Sequence, residues 1–332
     1  MEKVQALTVQ HHIKSRLAKS PEVFRRYAQH ISQSKKPQTV FEYLKDVLLF
    51  WDFLKERAHL QQQSWSEASL KELTKQDVES FLFEYLEDYE RTYERLSGKV
   101  VIQEFRNHPS GQRRKLSALR SFSKYLMMEE KWIATDVTFS IELEKDVAKE
   151  VLFLNQLELD MYFDAIERFT EDEYQRIRNR VMSQFFLYMG LKTSEVLALD
   201  IPDIHLEELT VRITRKDDTV EMLPLPTQMQ KDMKKYLAMR AERPIPMGWH
   251  ERALFVSLQN KRLNPKTIRY SMERYKQFTD IQKPLSPQIL RNTYASRTIS
   301  HTETLEEVAK RLGNTDKYAT KRTYVRKPPK AK

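Results

Sequence analysis

Apolar positions along most of the chain recur every three or four residues, which is the period of an amphipathic helix. The clearest case follows Pro37, where QTVFEYLKDVLLFWDFLKER carries one apolar face. That face consists of Val40, Tyr43, Leu44, Val47, Leu48, Trp51 and Leu54. A further helix is predicted to begin after Thr74, a favourable N-cap residue, and to run to about Tyr89. The first half of the chain is therefore predicted to be helical.

A third helical stretch in this half carries basic residues beside its apolar stripe. It has the sequence GQRRKLSALRSFSKYL and follows residues 97–112, which Gly98, Pro109 and Gly111 predict to be irregular. Its apolar stripe contains Leu116, Leu119, Phe122, Tyr125 and Leu126. The basic side chains predicted to lie on its other faces, as DNA contacts, are Arg113, Arg114, Lys115 and Arg120. A helix of this kind packs one side into a core and presents the other to phosphates.

The helical period is lost over residues 134–153, which we interpret as a linker between two domains. Beyond it, helices are predicted from Asn155 to Phe169 and from Asp172 to Met189, the second ending at Gly190. A short helix, TSEVLAL, is predicted to begin at Thr193.

A β-hairpin is the one strand signal in this half. Leu209–Thr214 and Thr219–Leu223 alternate in polarity around the turn Arg215–Asp218. After Thr227 the pattern is again helical, interrupted by prolines. The predicted fold is mainly α, with two domains and a small antiparallel sheet in the second. The predicted boundaries are a basic N-terminal arm over 1–36, a helical DNA-binding domain over 37–133, the linker over 134–153, and a larger domain with a basic tail over 154–332.

The charge is concentrated at the two ends of the chain. Residues 1–36 contain eight Lys or Arg and two Glu, and residues 310–332 contain nine Lys or Arg and one Asp, whereas the whole chain carries a net charge of +10. Basic ends on a nearly neutral body favour a polyanion, because each neutralised phosphate releases counterions. Solubilising tails are the alternative explanation. We favour double-stranded DNA as the partner.

Composition excludes several classes of function. The absence of cysteine excludes disulfides, thiolate metal sites and a cysteine nucleophile, and five glycines in 332 residues leave no glycine-rich phosphate loop. No cofactor or metal is expected. No segment has the roughly 18–20 apolar residues that a membrane span requires. The charged start of the chain is unlike a signal peptide, so a cytoplasmic protein is expected, associated with the nucleoid of a bacterial host.

Five motifs, in order, resemble those of the tyrosine recombinases, the phage-integrase and Xer group. QRRKLSALRSFSKYL resembles a DNA-contacting helix of that family's core-binding domain, and GLKTSEVLAL resembles its first catalytic box. The hairpin lies where the family has a β-turn lysine. SPQILRNTYAS resembles its His-x-x-Arg box, and RLGNTDKYATKRTYVR resembles its Leu-Gly-His box followed by the nucleophilic tyrosine.

The resemblance implies six catalytic positions. They are Lys192, Lys216, Gln288, Arg291, Asn314 and Tyr324. The family has arginine at the position of Lys192 and histidine at those of Gln288 and Asn314. A lysine lacks the planar fork that binds phosphate bidentately, and amides do not exchange protons near neutral pH. On this basis we expect the site to be catalytically inactive and the chain not to be an enzyme, with Lys192, Lys216 and Arg291 still binding DNA phosphate.

The function expected from the sequence is a sequence-specific double-stranded DNA-binding protein on an inactive recombinase scaffold, acting as a transcriptional repressor of a temperate phage or mobile element. An active, divergent recombinase using Tyr324 and an architectural DNA-bending protein are the alternatives. The chain is also a candidate for forming homo-oligomers on DNA. Pro328, Pro329 and the surrounding charge disfavour a C-terminal helix exchanged between subunits.

Overall fold

The structure is a computed structural model that describes residues 2–18, 20–94, 100–143, 151–215, 217–245, 250–301 and 305–313. Its contacts divide the chain into two units, Met1–Lys149 and Glu150–Lys332. This division lies within the predicted linker. Ile141, however, is 1% exposed and packs with Val137 and Leu143 against the core of the first unit. The first unit therefore extends well into the segment assigned to the linker.

The first unit is mainly helical. Its elements are α1 (Glu2–Leu17), α2 (Glu22–Ser32), α3 (Pro37–Leu60), a 3-10 turn (Glu67–Glu72), α4 (Lys75–Ser80), a π-helical turn (Phe81–Tyr85), β1 (Tyr89–Glu94), β2 (Val100–Phe105) and α5 (Pro109–Met128). The helix predicted after Pro37 is α3, and its apolar face is buried as expected. Thr74 caps α4 by accepting a hydrogen bond from the Asp77 N–H.

The segment predicted over 1–36 as a basic N-terminal arm contains a helix that packs into the first unit. Helix α2 lies within it and buries Val23, Phe24, Tyr27, Ala28 and Ile31 in the core of the first unit. These positions have the three- and four-residue spacing of a helix, and the charge of the segment obscured that pattern.

The segment predicted to be irregular is also different in the structure. Strands β1 and β2 form an antiparallel hairpin in which Tyr89 pairs with Phe105 and Glu94 with Val100. Pro109 then begins α5, at a position where its missing N–H costs no helical hydrogen bond. The helix predicted to run from Thr74 to about Tyr89 ends earlier, because β1 begins at Tyr89. Glycine and proline were read as breakers of structure, whereas here proline starts a helix.

The second unit has the elements predicted for it, with ends that differ by a few residues. They are α6 (Gln156–Arg168), α7 (Glu173–Tyr188), α8 (Thr193–Ala198), a 3-10 turn (Ile201–Asp203), β3 (Ile204–His205), β4 (Thr210–Thr214), β5 (Val220–Pro224), α9 (Thr227–Ala241), α10 (Pro265–Lys276), α11 (Pro287–His301) and α12 (Leu305–Arg311). Asn155 and Asp172 cap α6 and α7 through their side-chain oxygens. The predicted hairpin is β4 and β5, and β3 extends it to three antiparallel strands.

Helix α7 lies at the centre of the second core. Its Val181, Phe185 and Phe186 are at most 1% exposed, and they belong to one apolar cluster with residues of α9, α10 and α11. The mainly helical fold with a small antiparallel sheet is thus confirmed. Across the described ranges, none of the helices has the length and apolar character needed to cross a membrane.

Candidate functional site

A tight turn between α7 and α8 begins the site. Gly190 has a φ of +61°, in the left-handed region that favours glycine, and a Cβ there would lie 2.3 Å from the Tyr294 ring. Two residues later, the backbone N–H of Lys192 donates to Glu195 Oε2 at 2.7 Å. Glu195 is buried, and the Lys192 side chain is 32% exposed. The turn therefore fixes the backbone of Lys192 and leaves its side chain partly exposed.

Three cationic side chains donate to three consecutive carbonyl oxygens at the end of α12, the carbonyls of residues 311–313. The bonds run from Arg215 Nη2 to the Arg311 oxygen (2.9 Å), from Arg291 Nη2 to the Leu312 oxygen (2.7 Å) and from Lys192 Nζ to the Gly313 oxygen (2.7 Å). The last carbonyls of a helix have no partner within the helix, and the negative end of its dipole favours cations. We call Lys192, Arg215 and Arg291 the cation cluster.

Arg291 joins two parts of this site. Its Nη1 donates to the Gly190 carbonyl, while its Nη2 donates to the Leu312 carbonyl. The residue is 4% exposed and lies on α11. Both acceptors are neutral, so these bonds orient the guanidinium without cancelling its charge.

The turn of the β4–β5 hairpin contributes Arg215 to the site. Arg215 donates from Nε and Nη2 to Glu221 Oε2, at 3.1 and 2.8 Å, and its Nη1 lies 3.3 Å from Glu195 Oε2. Hydrogen bonds from Thr219 lower the pKa of Asp217, and the Lys192 charge lowers it further. The Lys192 ammonium therefore acts on the same turn that carries residue 216.

The structure brings together two of the six predicted catalytic positions, Lys192 and Arg291. Gln288 lies on α11, one turn before Arg291, where it is exposed and donates from Nε2 to Asn292 Oδ1 at 2.8 Å. Lys216, Asn314 and Tyr324 lie outside the described residues. Among the residues that are described, no group of three or more histidines and acidic side chains is placed to hold a metal ion.

Sequence reasoning missed Arg215, Glu195 and Glu221. A signal for Arg215 was present in strand β4, where Val211 and Ile213 are fully buried and alternate with exposed residues. Continuing that alternation by two residues places Arg215 on the inward face. An arginine predicted to point inward requires acidic or carbonyl partners nearby, and Glu221 on the paired strand is one of them.

In the first unit, the basic side chains predicted to contact DNA are largely engaged by neighbours. Arg114 donates to both carboxylate oxygens of Asp46, including Nη2 to Oδ1 at 2.8 Å. Arg120 Nη2 donates to the Ile141 carbonyl at 2.8 Å, and Arg113 is half-buried. Lys115 was predicted to lie on an outer face, and this placement is wrong. It is 5% exposed and donates to Asn107 at 2.6 Å, because it lies one position before the apolar stripe and on its side of the helix.

Burial raises the pKa of the Asp46 carboxyl above its ordinary value of 3.8, although the charges of Arg114 and Lys115 act in the opposite direction. Asp46 is 1% exposed. The pairing with Arg114 is therefore what allows an ionised carboxylate to remain in the interior.

The model of the phage integrase family matches residues 152–330. The chain is 28% identical over 205 residues to tyrosine recombinase XerC of Thermodesulfovibrio yellowstonii, a match that covers 60% of this chain and 66% of XerC. It is 27% identical over 317 residues to tyrosine recombinase XerS of Lactococcus lactis, covering 85% of each. The crystal structure of the XerH site-specific recombinase bound to its difH substrate superposes with a TM-score of 0.64 at 20% identity, covering 87% of this chain and 77% of XerH.

These findings correct one expectation. The replacements at Lys192, Gln288 and Asn314 led to the prediction that the chain is not an enzyme. That prediction is wrong, because the relatives XerC and XerS are named tyrosine recombinases, which are enzymes, and no feature of the described site marks it as inactive. The error was to treat each replaced side chain as a lost function.

Proposed function

Because this chain belongs to the phage integrase family, whose model matches residues 152–330, we propose that it binds specific sites in double-stranded DNA and exchanges strands there as a tyrosine recombinase. The XerH structure contains its DNA substrate, which supports duplex DNA as the partner of this chain as well. The net charge of +10 favours the same partner.

The observation that carries the proposal is the cation cluster at the end of α12. Three motifs that are far apart in sequence converge on the carbonyls of residues 311–313, immediately before Asn314 and the segment leading to Tyr324. A guanidinium has five N–H donors and an ammonium three, so bonds to carbonyls do not exclude bonds to phosphate oxygens. Arg291 and Lys192 are the groups we assign to the phosphate, where they stabilise charge on its non-bridging oxygens.

In the proposed reaction, the Tyr324 oxygen attacks a DNA phosphorus and forms a phosphotyrosine bond, while the bond from phosphorus to the 5′ oxygen breaks. Lys216 donates a proton to that departing oxygen, which leaves as a hydroxyl. The tyrosine proton passes to solvent, since neither Gln288 nor Asn314 accepts a proton near neutral pH. Attack of a 5′ hydroxyl on the phosphotyrosine reverses these bond changes and joins new strands.

The test begins with genomic fragments from the host organism that the protein retains at physiological salt. Nicked duplexes of the retained sequences then trap a covalent adduct, which denaturing electrophoresis detects. We expect an adduct with the unchanged protein and none with Tyr324→Phe, which should still bind DNA within about 0.5–1.5 kcal/mol, the contribution of one hydrogen bond.

Tyr270→Phe is the matched control, because Tyr270 is 73% exposed on α10 and should leave adduct formation unchanged. Failure of the unchanged protein to form an adduct with the fragments it retains would contradict the proposal. An adduct that persists in Tyr324→Phe would exclude Tyr324 as the nucleophile.

Transcriptional control by occupancy of a DNA site is a second candidate. Lysine at 192 and amides at 288 and 314 favour slow strand exchange and hence a long-lived bound state. Such occupancy would suit repression in a temperate phage or mobile element. A reporter joined to a promoter within a retained fragment should then be repressed by the protein, to the same extent by the unchanged chain and by Tyr324→Phe.

A further inference from the structure

Arg215 is a buried cation that lies next to a predicted catalytic residue. Its side chain is 5% exposed and lies at the end of β4, on the inward face that Val211 and Ile213 begin. Its backbone N–H donates to the Thr219 carbonyl at 2.8 Å, which closes the hairpin turn. Arg215, the residue that precedes Lys216, is therefore held through both its backbone N–H and its side chain.

The Arg215 guanidinium contacts three different elements. It donates twice to Glu221 Oε2 on β5, lies 3.3 Å from Glu195 Oε2 on α8, and donates to the Arg311 carbonyl at the end of α12 at 2.9 Å. Burial lowers the pKa of Arg215, but the bond to Glu221 and the charge of Glu195 outweigh it, and the pKa is raised overall. The guanidinium therefore stays charged and can bind all three partners at once.

Gly313 packs directly on this side chain. A Cβ at Gly313 would lie 3.0 Å from Arg215 Nη1 and 3.2 Å from its Cδ, and the φ of +59° also favours glycine. The left-handed residue reverses the chain after α12. Gly313, the last described residue before Asn314, therefore lies in contact with the Arg215 side chain.

We propose that Arg215 is a positioning residue that holds the hairpin turn carrying Lys216 in register with the end of α12, which leads to Asn314 and Tyr324. This rests on the proposed recombinase function. A planar fork can hold a carboxylate on β5 and a carbonyl on α12 by hydrogen bonds from Nε and Nη2, and a carboxylate on α8 by the ion pair at Nη1, in fixed relative positions. In the reaction, Lys216 must meet the oxygen that departs as Tyr324 attacks, so the two segments have to be placed relative to one another.

The test compares Arg215→Lys, which keeps the charge and loses the fork, with Arg212→Lys. Arg212 is a matched control on the same strand, because it faces outward, is 47% exposed and pairs with Asp203. The substrates are nicked duplexes of a retained fragment, one with an ordinary phosphodiester and one with sulfur in place of the bridging 5′ oxygen. A thiolate leaves without a proton, because a thiol is a much stronger acid than an alcohol. The sulfur substrate therefore does not depend on Lys216.

On the ordinary substrate, we expect Arg215→Lys to slow single-turnover adduct formation by about 10–100-fold, the cost of a misplaced reacting group, with DNA affinity within about twofold. On the sulfur substrate, most of this loss should disappear. Arg212→Lys should match the unchanged protein on both. An equal loss on both substrates, or no loss on either, would overturn the positioning role.

A measurement without DNA separates this proposal from the proposed function. Hydrogen exchange should become faster in Arg215→Lys at the Thr219 turn and at the amides of Leu312 and Gly313, which donate to Val308 and Lys310. Arg212→Lys should show neither change. If the unchanged protein forms no adduct, but exchange in Arg215→Lys is faster both at the Thr219 turn and at Leu312 and Gly313, the recombinase function is contradicted. The proposal that Arg215 holds the hairpin turn against the end of α12 is then still supported. If hydrogen exchange is unchanged in both segments, or changes in only one of them, the positioning role of Arg215 is refuted, whether or not the protein forms an adduct.

Discussion

Arg114 in the first unit and Arg291 in the second are both arginines that sequence patterns assign to DNA, and each donates two hydrogen bonds through its guanidinium. The acceptors differ. Arg114 binds the buried carboxylate of Asp46, whereas Arg291 binds the neutral carbonyls of Gly190 and Leu312. The Arg114 charge is therefore compensated within its unit, and that of Arg291 is not compensated by these partners.

The kind of acceptor determines what a basic residue near an apolar stripe can do. A carboxylate partner neutralises the charge of the arginine, and the pair stabilises the fold. A carbonyl partner orients the arginine side chain without neutralising its charge. Arg114 lies 3.5 Å from Glu42 in addition to its contact with Asp46, which strengthens its role in folding. Arg291 is also the more deeply buried of the two, at 4% exposed, whereas the Arg114 side chain is 42% exposed.

The largest effect on stability is expected from Arg291→Ala. It leaves the Gly190 and Leu312 carbonyls without this donor, and we expect the free energy of unfolding to fall by about 2–6 kcal/mol, at about 1–3 kcal/mol for each of the two buried groups. Because both acceptors are neutral, this loss should be the same from about pH 5 to about pH 8. Urea denaturation followed by circular dichroism measures it.

Arg297→Ala is the control on the same helix, since Arg297 makes one exposed hydrogen bond, to Gln156, and should cost under about 1 kcal/mol. A loss in Arg291→Ala that changes steeply with pH would show that an ionised group, not the two carbonyls, is its main partner.

A somewhat smaller effect, about 2–3 kcal/mol at neutral pH, is expected from Arg114→Ala, because it leaves the Asp46 carboxylate buried and unpaired. The value lies below that for a fully buried pair because Arg114 is 42% exposed. Urea denaturation at several pH values measures it.

The effect of Arg114→Ala should depend on pH. The pKa of Asp46 in the folded state already lies above its ordinary value of 3.8, so the folded state binds a proton at this carboxyl more tightly than the unfolded state does. The free energy of unfolding therefore falls as pH rises from the ordinary pKa to the folded pKa. Removing Arg114 raises the folded pKa further. The destabilisation in Arg114→Ala should therefore be greatest at neutral pH and shrink on acidification.

Arg26→Ala is the matched control for Arg114→Ala, because Arg26 also pairs with a carboxylate, Glu130, through Nε at 2.7 Å. The bond from Arg26 lowers the pKa of Glu130 below its ordinary value of 4.5. The stabilisation from this pair is therefore complete above about pH 4.5 and is lost as pH falls through the lower pKa of the folded state. The effect of Arg26→Ala should therefore persist to lower pH than that of Arg114→Ala. Equal pH profiles would contradict the distinction between the two carboxylates.

The smallest effect is expected from Arg113→Glu, and it concerns DNA and not folding. If Arg113 contacts a phosphate, its reversal should weaken binding by about tenfold and reduce the slope of log affinity against log salt by about 0.9. Lys75→Glu, on α4, changes the net charge equally and should leave the slope unchanged. Affinity titrations at several salt concentrations measure both, and an unaltered slope in Arg113→Glu would remove α5 from the DNA interface.

Local sequence patterns predicted the helices and the hairpin of the second unit closely. Asn155 and Asp172 are caps, and Gly190 ends a helix, because these features depend on bonds within a few residues. The same logic failed at Pro109, where the residue that suggested a break begins α5. It also failed for α2, where abundant charge drew attention away from five buried apolar positions.

The family resemblance, the mainly helical fold and the identities of the six candidate catalytic positions follow from local order and spacing along the chain, so the sequence was enough to predict them. Which cation binds which acceptor is visible only in the folded chain. Arg114 and Asp46 are 68 residues apart in sequence, and Arg291 and Gly190 are 101 apart. Contacts over such separations depend on how whole elements pack, and no local pattern specifies them. Arg215 depends on both local pattern and packing. The alternation along β4 turns its side chain inward, and the packing of α8, β5 and α12 supplies the partners that hold it there.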